Sequence, residues 1–529
     1  MEEVHGAPVV SDLGEDPQQP PLSKELSGDV RTVAKGGAVQ LFGQVTQRSL
    51  SFFINAIAFR FLGASAFGIY RQVSQVLTIA GQVGLAGFNY AAMRFISRAR
   101  AENNPAGVRG SARVSIVATS VASAVVVAGL VVAADPLSDL LADSAGDHED
   151  FVFLFRIGAI YVPLFALGQV WRYATQAYKT MVPSVVAGNI IQPTSRFLLG
   201  LAVLLLGGEV VGLVHTLNAS FAIAAVAAAI FFRRIMTAEE RTARPHAELG
   251  SMIRFALPQG GSSLLGIQAL GLGVLIIGAF DTNAQAGLFG IALMLQGPGN
   301  VFLGGIVNIW APVVSDLHSK GEMARLESLY QVITRWVATF SFPVWTALIL
   351  EPDLFIDLFV GAKGEDAAVL VAILAVGNIF YTGTGPTGYV LSMTGRPGIN
   401  FLNSVVGVVM YVVGGLWAVP KYGAVGMAVV DAIVTASINS ARVVEAKIFV
   451  GVQPFGRSIL KPIAASAAGG LVLLAWRLFP GDEWWLELTG LVVAAVVYLA
   501  TLKAMGIDAE ERLVWNRIRK RAKLRRGRS

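Results

Sequence analysis

Residues 37–72 read GAVQLFGQVTQRSLSFFINAIAFRFLGASAFGIYRQ and contain an apolar segment long enough to cross a bilayer. Polar side chains recur in it every three or four positions, so a helix would carry them on one face. These residues are Gln40, Gln44, Gln47, Arg48, Ser51 and Asn55. An arginine at mid-membrane costs about 2.5–3.5 kcal/mol and needs a partner, water or a ligand. The stripe around Arg48 is therefore the first indication of function.

The composition of the whole chain is that of an integral membrane protein. Hydrophobic residues make up 54% of the 529 positions and charged residues 14%, whereas soluble domains carry about 25% charged residues. The chain has no cysteine, which excludes disulfides and thiolate sites. Its five histidines are scattered without metal-ligand spacing, and no GxxxxGK[ST] loop occurs. We therefore expect no cofactor and no ATP hydrolysis.

Apolar segments separated by turn residues predict about fourteen transmembrane helices. Short turns such as Gly207-Gly208 and Arg396-Pro397-Gly398 divide them. The segments are 34–61, 69–93, 111–134, 152–177, 184–206, 210–232, 253–279, 286–311, 329–350, 367–392, 399–419, 425–446, 459–479 and 486–505.

Loop charge predicts the orientation. One set of alternate loops is rich in arginine, as at Arg98, Arg233 and Arg234, and the other set is acidic, as at 135–150. The positive-inside rule places the basic loops, and with them both termini, in the cytoplasm of a multi-pass plasma-membrane protein. A basic cluster in residues 507–529 suits anionic lipid headgroups better than nucleic acid, and we expect no nucleic-acid partner.

The two halves of the chain contain segments of weakly similar sequence. The segment at Gly68 aligns with the segment at Gly287 in a register that also pairs Gln40 with Gln259 and Asn89 with Asn308. Parallel repeats of this kind flank a central site in many transporters. We predict two pseudo-symmetric six-helix lobes with two added helices. The predicted parts are a disordered cytoplasmic tail (1–32), an N-lobe (33–235), a cytoplasmic linker (236–252), a C-lobe (253–448), two further helices (449–506) and a basic cytoplasmic tail (507–529).

The N-lobe carries arginines without acidic partners at similar depth. Structural salt bridges would need such partners, so an unneutralised cluster predicts a hydrated cationic cavity that attracts anions. Guanidinium groups match phosphate oxygens in geometry. For the arginines near the helix ends, snorkelling to the interface is the alternative, and for the glutamines it is interhelical hydrogen bonding. The candidate binding residues are Arg48, Arg60, Arg71, Arg172, Arg196, Gln44 and Gln75.

The C-lobe differs in character, with one deeply placed acid, Asp431. An intramembrane carboxylate can serve as a proton or Na⁺ coupling site. The residues leave two alternatives open: Asp431 pairs with Arg442, or it lies near the outer end of its helix.

The stretch Arg60-Phe61-Leu62-Gly63 followed by Phe67-Gly68-Ile69-Tyr70 resembles the signature after the first helix of polysaccharide exporters. The stretches from Gly84 to Arg94 and from Gln176 to Asn189 are similar to later parts of the same family. The family is the Wzx-like oligosaccharide flippases of the multidrug/oligosaccharidyl-lipid/polysaccharide superfamily, and the resemblance covers roughly residues 33–505. It implies a V-shaped, MATE-like arrangement of two six-helix lobes plus two helices.

The resemblance also implies an activity and partners. A polyprenyl-diphosphate-linked glycan would pass from the inner to the outer leaflet, its head in a cationic cavity and its tail in the bilayer. Membrane lipids and glycan-assembly proteins would be further partners, and the chain would act as a monomer. Arg48, Arg60 and Arg71 lie where such a family would line its cavity.

Alternatives remain within transport and outside it. A lipid II flippase would also favour a basic cavity. A cation-coupled multidrug exporter would rely on an acid in the first-lobe helices. Residues 34–61 contain no Asp or Glu, which argues against this class. A membrane glycan polymerase would need catalytic groups on a large outer loop, and no paired constellation occurs. A non-transporting scaffold of a glycan-assembly complex is the remaining class.

Overall fold

The computed structural model describes the backbone of residues 24–478 and 484–506, without the side chains of 24–38, 262–270, 308, 309, 312, 362 and 484. Within this range the chain is helical and contains no β-strand, which confirms the all-α prediction. Residues 1–23 of the predicted N-terminal tail and the basic tail 507–529 lie outside the described residues. So do the acidic loop residues Asp482 and Glu483 and the side chains of Gln268 and Asn308.

The first half of the chain forms ten helices with short connections. A π-helical turn, Val186–Ile191, joins the eighth to the ninth. The first helix begins within the segment predicted to be a disordered tail. The helices are α1 (Lys24–Leu62), α2 (Ala64–Leu85), α3 (Phe88–Ala101), α4 (Pro105–Val132), α5 (Ala134–Leu141), α6 (Ala145–Gly158), α7 (Tyr161–Gln176), α8 (Val182–Val185), α9 (Gln192–Leu205) and α10 (Val210–Ile235).

The second half follows a short linker helix, α11 (Ala238–Thr242). Single turns of 3₁₀ or π-helix lie at Ala362–Ala367, Ala446–Val450 and Arg457–Ile459. The helices are α12 (Leu249–Phe280), α13 (Asn283–Leu295), α14 (Gly297–Ser319), α15 (Met323–Leu350), α16 (Pro352–Phe359), α17 (Ala368–Gly383), α18 (Thr387–Met393), α19 (Pro397–Glu445), α20 (Leu460–Trp476) and α21 (Trp484–Ala504).

All fourteen predicted segments fall on helical structure, yet the count of fourteen spans is not confirmed. Among the described residues, nine helices are long and apolar enough to cross a membrane, or ten if α13 and α14, bent by 49°, form one span. Part of the difference lies in α19. The two segments predicted at 399–419 and 425–446 form a single run, α19, in which only Gly423 departs from helical geometry (φ 58°).

The two halves meet along α2, which packs against both α13 and α12. The last two helices, α20 and α21, pack on each other and on α15. We call the end of the bundle that carries Gly63, Asp143 and Asp281 the upper end, and the end that carries Asn104 and His246 the lower end. The charge pattern predicts that the upper end is the outer one.

Candidate functional site

The two repeat motifs cross each other at the upper end. A Cβ on Gly68 would lie 1.8 Å from the Asn283 carbonyl oxygen, and a Cβ on Gly287 would lie 2.1 Å from the Ala64 carbonyl oxygen. Gly68 thus meets the carbonyl group four residues before Gly287, and Gly287 meets the carbonyl group four residues before Gly68. Two contacts related in this way are what a pseudo-twofold axis requires. Only glycine allows the backbones to approach so closely. We call this crossing the glycine seal.

Hydrogen bonds surround the glycine seal. Gln72, which is fully buried, donates from Nε2 to Asn283 Oδ1 at 2.6 Å. The Asn283 backbone N–H donates to Asp143 Oδ2 at 2.8 Å, and its Nδ2 donates to Asp147 Oδ2 at 3.1 Å. Burial is the largest effect on the pKa of Asp143 and raises it. The hydrogen bond from Asn283 lowers this pKa, and the nearby carboxylates of Asp147 and Asp281 raise it. The net effect raises the pKa of Asp143 above its ordinary value, so this carboxyl group is protonated more readily than an isolated aspartate.

Arg60 also joins the two lobes at the upper end. Its Nη2 donates to the carbonyl oxygens of Asp357 and Leu358, at 2.9 and 2.8 Å, in the last turn of α16. A cation at a helix C-terminus is stabilised by the helix dipole. Lys363 Nζ donates in turn to the Arg60 carbonyl oxygen at 3.2 Å. These bonds join the end of α1 to the end of α16, and substrate binding by Arg60 stays a prediction.

Arg48 lies lower, between the lobes. Its side chain is exposed, and its Nη2 is 3.0 Å from where a Cβ on Gly304 of α14 would be. It also lies close enough to Tyr381 of α17 to interact electrostatically with the phenol. None of the salt bridges between described residues involves Arg48. The guanidinium is therefore an uncompensated charge on an accessible inter-lobe surface.

Arg71 and Arg196 form a second cationic group above Arg48. Arg196 Nη2 donates to the Tyr70 hydroxyl at 2.6 Å and lies 3.5 Å from Asn55 Oδ1. Arg71 packs against Gly290 of α13, and its buried Nε has no hydrogen-bond partner among the described residues. The two guanidinium groups repel each other, and neither takes part in a salt bridge of the described residues. An anion between them would relieve the repulsion.

Arg172 is placed differently, inside the N-lobe. It donates to the Ser184 carbonyl oxygen (3.1 Å), Gln169 Oε1 (2.8 Å) and Asn189 Oδ1 (3.0 Å). A Cβ on Gly188 in the π-helical turn would lie 1.9 Å from its Cζ. Nη2 of Arg172 thus binds the π-helical turn and Nε binds α8, whereas Nη1 binds Gln169 on α7 itself. Substrate binding by Arg172 is untested, and these contacts support a structural role.

We expect Arg172→Gln to lower the free energy of unfolding by about 3 kcal/mol or more, because hydrogen bonds to a charged group contribute about 1.5–3 kcal/mol each. Gly188→Ala should act in the same direction by displacing the guanidinium. Thermal unfolding of the purified chain in detergent measures both changes. Gly129→Ala is the matched control, since a Cβ there meets nothing within 4 Å. If Arg172→Gln unfolds at the same temperature as the wild-type chain, Arg172 does not have this structural role.

The remaining predicted residues lie on the same surfaces or in the C-lobe. Gln44 is half-buried on α1, and Gln75 lies against Gly271 of α12, where a Cβ would be 2.0 Å from its Cδ. Asp431 lies beside the hydroxyl groups of Tyr411 and Thr435. The charged neighbour of Arg442 is Glu445, so the structure does not pair Asp431 with Arg442. As a coupling site, Asp431 stays a prediction.

Sequence reasoning missed a polar pocket in the C-lobe. It lies where α17 and α18 are interrupted at Gly385 (φ 66°) and includes Tyr381, Tyr389, Asn400 and Arg442. The run Gly383-Thr384-Gly385-Pro386-Thr387-Gly388 was the available signal. Irregular backbone at membrane depth is tolerated where it is buried in protein or lines a cavity.

The chain is similar to one protein family over more than half its length. The profile described as polysaccharide biosynthesis protein matches residues 33–318. No curated protein sequence is detectably similar to the chain.

Solved structures share the fold at low sequence identity. An inward-facing multidrug resistance transporter of the MATE family of the MOP superfamily is 14% identical with a TM-score of 0.66, over 78% of this chain and 98% of that one. The lipid II flippase MurJ, in an inward closed conformation, is 11% identical with a TM-score of 0.70, over 88% and 98%. A MOP superfamily transporter from Pyrococcus furiosus is 13% identical with a TM-score of 0.54, over 80% and 96%. At such identities the likeness shows the fold alone, and that fold is the predicted MATE-like one.

Proposed function

The chain belongs to the polysaccharide biosynthesis protein family, and from this premise we propose that it moves a polyprenyl-diphosphate-linked oligosaccharide from the inner to the outer leaflet of the plasma membrane. Its family and fold are those of multi-pass membrane transporters that act as flippases. The proposal adds the substrate, the direction and the residues that bind the headgroup.

The observation that carries the proposal is the group of uncompensated guanidinium groups of the N-lobe, two of which, those of Arg48 and Arg71, lie against the C-lobe. Arg48, Arg71 and Arg196 take part in no salt bridge of the described residues. A diphosphate offers several anionic oxygens, and guanidinium groups bind such oxygens with paired, charge-assisted hydrogen bonds. A neutral or cationic substrate would leave these charges uncompensated in a membrane-spanning protein.

The conformation supports alternating access. Gln72 and Asn283 in the seal are fully buried, whereas Arg48 below them is exposed. If the upper end is the outer one, the headgroup enters from the inner leaflet, binds Arg48 and passes toward Arg71 and Arg196 as the seal opens. The lipid tail stays in the bilayer, so no cavity large enough for it is needed.

Two transport alternatives use the same fold. A lipid II flippase would bind the same diphosphate, so the arginines alone do not distinguish it from a polysaccharide flippase; the family match favours the latter. A cation-coupled multidrug exporter is disfavoured because the polar stripe of α1 contains no Asp or Glu. Asp431, placed beside two hydroxyl groups in the C-lobe, is our proposal for a proton or Na⁺ coupling residue.

Reconstitution into vesicles tests the proposal. Vesicles would contain a polyprenyl-diphosphate disaccharide labelled with a fluorophore that dithionite bleaches. Without protein, about half of the label is accessible from outside; we expect the purified chain to make nearly all of it accessible. Ethidium-loaded vesicles provide the comparison with multidrug export. Export of ethidium without movement of the labelled lipid would contradict the proposal.

A further inference from the structure

The C-lobe pocket at the break between α17 and α18 is a cavity of about 340 Å³. This volume falls at the lower end of the range for small-molecule sites, about 300–1,000 Å³. Its floor is the broken backbone at Gly385 and Gly388, and its walls carry Tyr381, Tyr389 and Arg442. None of the residues proposed to bind the diphosphate lines it.

Two residues that line this pocket each have a buried polar atom without a hydrogen-bond partner among the described residues. These atoms are Nε of Arg442, a donor, and Oδ1 of Asn400, an acceptor. The Ser392 hydroxyl donates to the Gly388 carbonyl oxygen at 2.9 Å and so accepts from Asn400 Nδ2 at 3.1 Å. This chain of bonds fixes the orientation of the Asn400 amide and leaves its oxygen unpaired. A buried unpaired polar group costs about 1–3 kcal/mol, so a ligand or water is expected there.

The pocket is thus lined by one residue with an unpaired donor and one with an unpaired acceptor, which favours a ligand that carries both donors and acceptors. A fully ionised phosphate would accept from Arg442, but it has no hydrogen to donate to the Asn400 oxygen. The carboxylate of Glu445 lies near Arg442 and offsets part of its charge. A sugar carries several hydroxyl groups, each of which both donates and accepts, so it offers partners to both residues.

Two aromatic rings complete the pocket. Tyr381 and Tyr389 are 38% and 42% exposed, and their hydroxyl groups lie close enough to interact electrostatically. Half-exposed tyrosines offer an apolar face for the C–H surface of a sugar ring and a hydroxyl for its polar edge. Tyr381 also interacts with Arg48, so the pocket adjoins the cationic surface between the lobes.

We propose that this pocket binds a sugar residue of the glycan while the attached diphosphate lies at Arg48. The inference rests on the proposed function, because the pocket's position next to Arg48 assigns it the sugar adjoining the diphosphate. Arg442, Asn400 and Tyr389 would then make the chain prefer glycosylated over bare lipid diphosphates. The arginines of the N-lobe would recognise the diphosphate that all such lipids share.

Binding of short-chain lipids to the purified full chain tests the proposal. The probes are farnesyl diphosphate and farnesyl diphosphates carrying glucose, galactose, N-acetylglucosamine or N-acetylgalactosamine. We expect at least one glycosylated probe to bind about tenfold more tightly than farnesyl diphosphate, as one or two added hydrogen bonds would give. Tyr389→Ala and Asn400→Ala should each reduce that preference to about twofold or less and leave the affinity for farnesyl diphosphate unchanged.

The controls separate the two proposals. Tyr422→Ala removes a tyrosine that is 60% exposed at the other end of the C-lobe and should keep the preference. Arg48→Ala should weaken the binding of all five probes. If farnesyl diphosphate does not bind the wild-type chain, the proposed function fails. If it binds, but no sugar adds affinity or Tyr389→Ala and Asn400→Ala keep the full preference, the sugar pocket alone is overturned.

Discussion

Arg48→Ala is expected to reduce export of the lipid-linked glycan by at least about 30-fold. Removing one partner of a desolvated charge pair costs about 2–5 kcal/mol, and 2 kcal/mol corresponds to about 30-fold. Arg48 has no salt bridge among the described residues, so the folded protein should keep its abundance and its place in the membrane. The vesicle assay measures transport, and immunoblotting of membranes measures abundance.

Two further variants show whether this loss is specific to the guanidinium group of Arg48. Arg48→Lys keeps the charge but loses the paired donors of the guanidinium, so we expect intermediate activity. Arg156→Ala is the matched control, because Arg156 forms an exposed salt bridge with Asp135 at the upper end, 3.2 Å long. Exposed pairs contribute about 0–1 kcal/mol, so transport should be unchanged. Normal export by Arg48→Ala would contradict the cationic-cavity mechanism.

The polar stripe of α1 shows how much the sequence could predict. Its helical spacing placed Arg48 on one face, and the lack of nearby acids predicted an unpaired charge; both follow from composition and period. The stripe could not indicate what α1 faces. Gln47 turns toward the π-helical turn and accepts a hydrogen bond from Asn189, whereas Arg48 faces Gly304 of the other lobe. Adjacent residues therefore serve packing and the cavity separately.

Arg60 and Arg172 show where sequence reasoning could not reach. The sequence places Arg48 and Arg196 near mid-span and Arg60 and Arg172 nearer the helix ends, and it predicts substrate binding for all four. The acceptors of Arg60, and the acceptor of the Nε of Arg172, are main-chain carbonyls, at Asp357, Leu358 and Ser184. Such acceptors exist at every residue and leave no signal in a sequence. The lack of acidic residues at similar depth therefore excludes salt bridges for these arginines, but it does not exclude structural hydrogen bonds.

The repeats predicted two related lobes, and the structure adds the consequence that the repeated motifs contact each other. The repeat pairs Gly68 with Gly287, and nothing in the sequence indicates that the two glycines are in contact. Because each meets a carbonyl of the other helix, the pair functions as one closely packed crossing. The same symmetry predicts that substitutions at the two positions have the same effect.

Gly68→Ala and Gly287→Ala are each expected to open the upper end. The added methyl groups would lie 1.8 and 2.1 Å from carbonyl oxygens of the opposing helix, so the two backbones must separate. The chain has no cysteine, so a single Ser74→Cys reporter, whose hydroxyl is buried below the seal, can be labelled cleanly. We expect an impermeant maleimide added outside cells to label the reporter at least about tenfold faster in either glycine variant, a shift of about 1.4 kcal/mol toward the open state.

Transport should become slower in the same variants in which labelling becomes faster, because alternating access requires a state that is closed at the upper end. Gly129→Ala, on α4 with open space around it, controls for the loss of a glycine and should change neither quantity. Unchanged melting temperatures would show that faster labelling reflects opening of the seal instead of unfolding. If both glycine variants label at the wild-type rate, the crossing of α2 and α13 is not the outer gate. If only one of them labels faster, the pseudo-twofold equivalence of the two glycines is wrong.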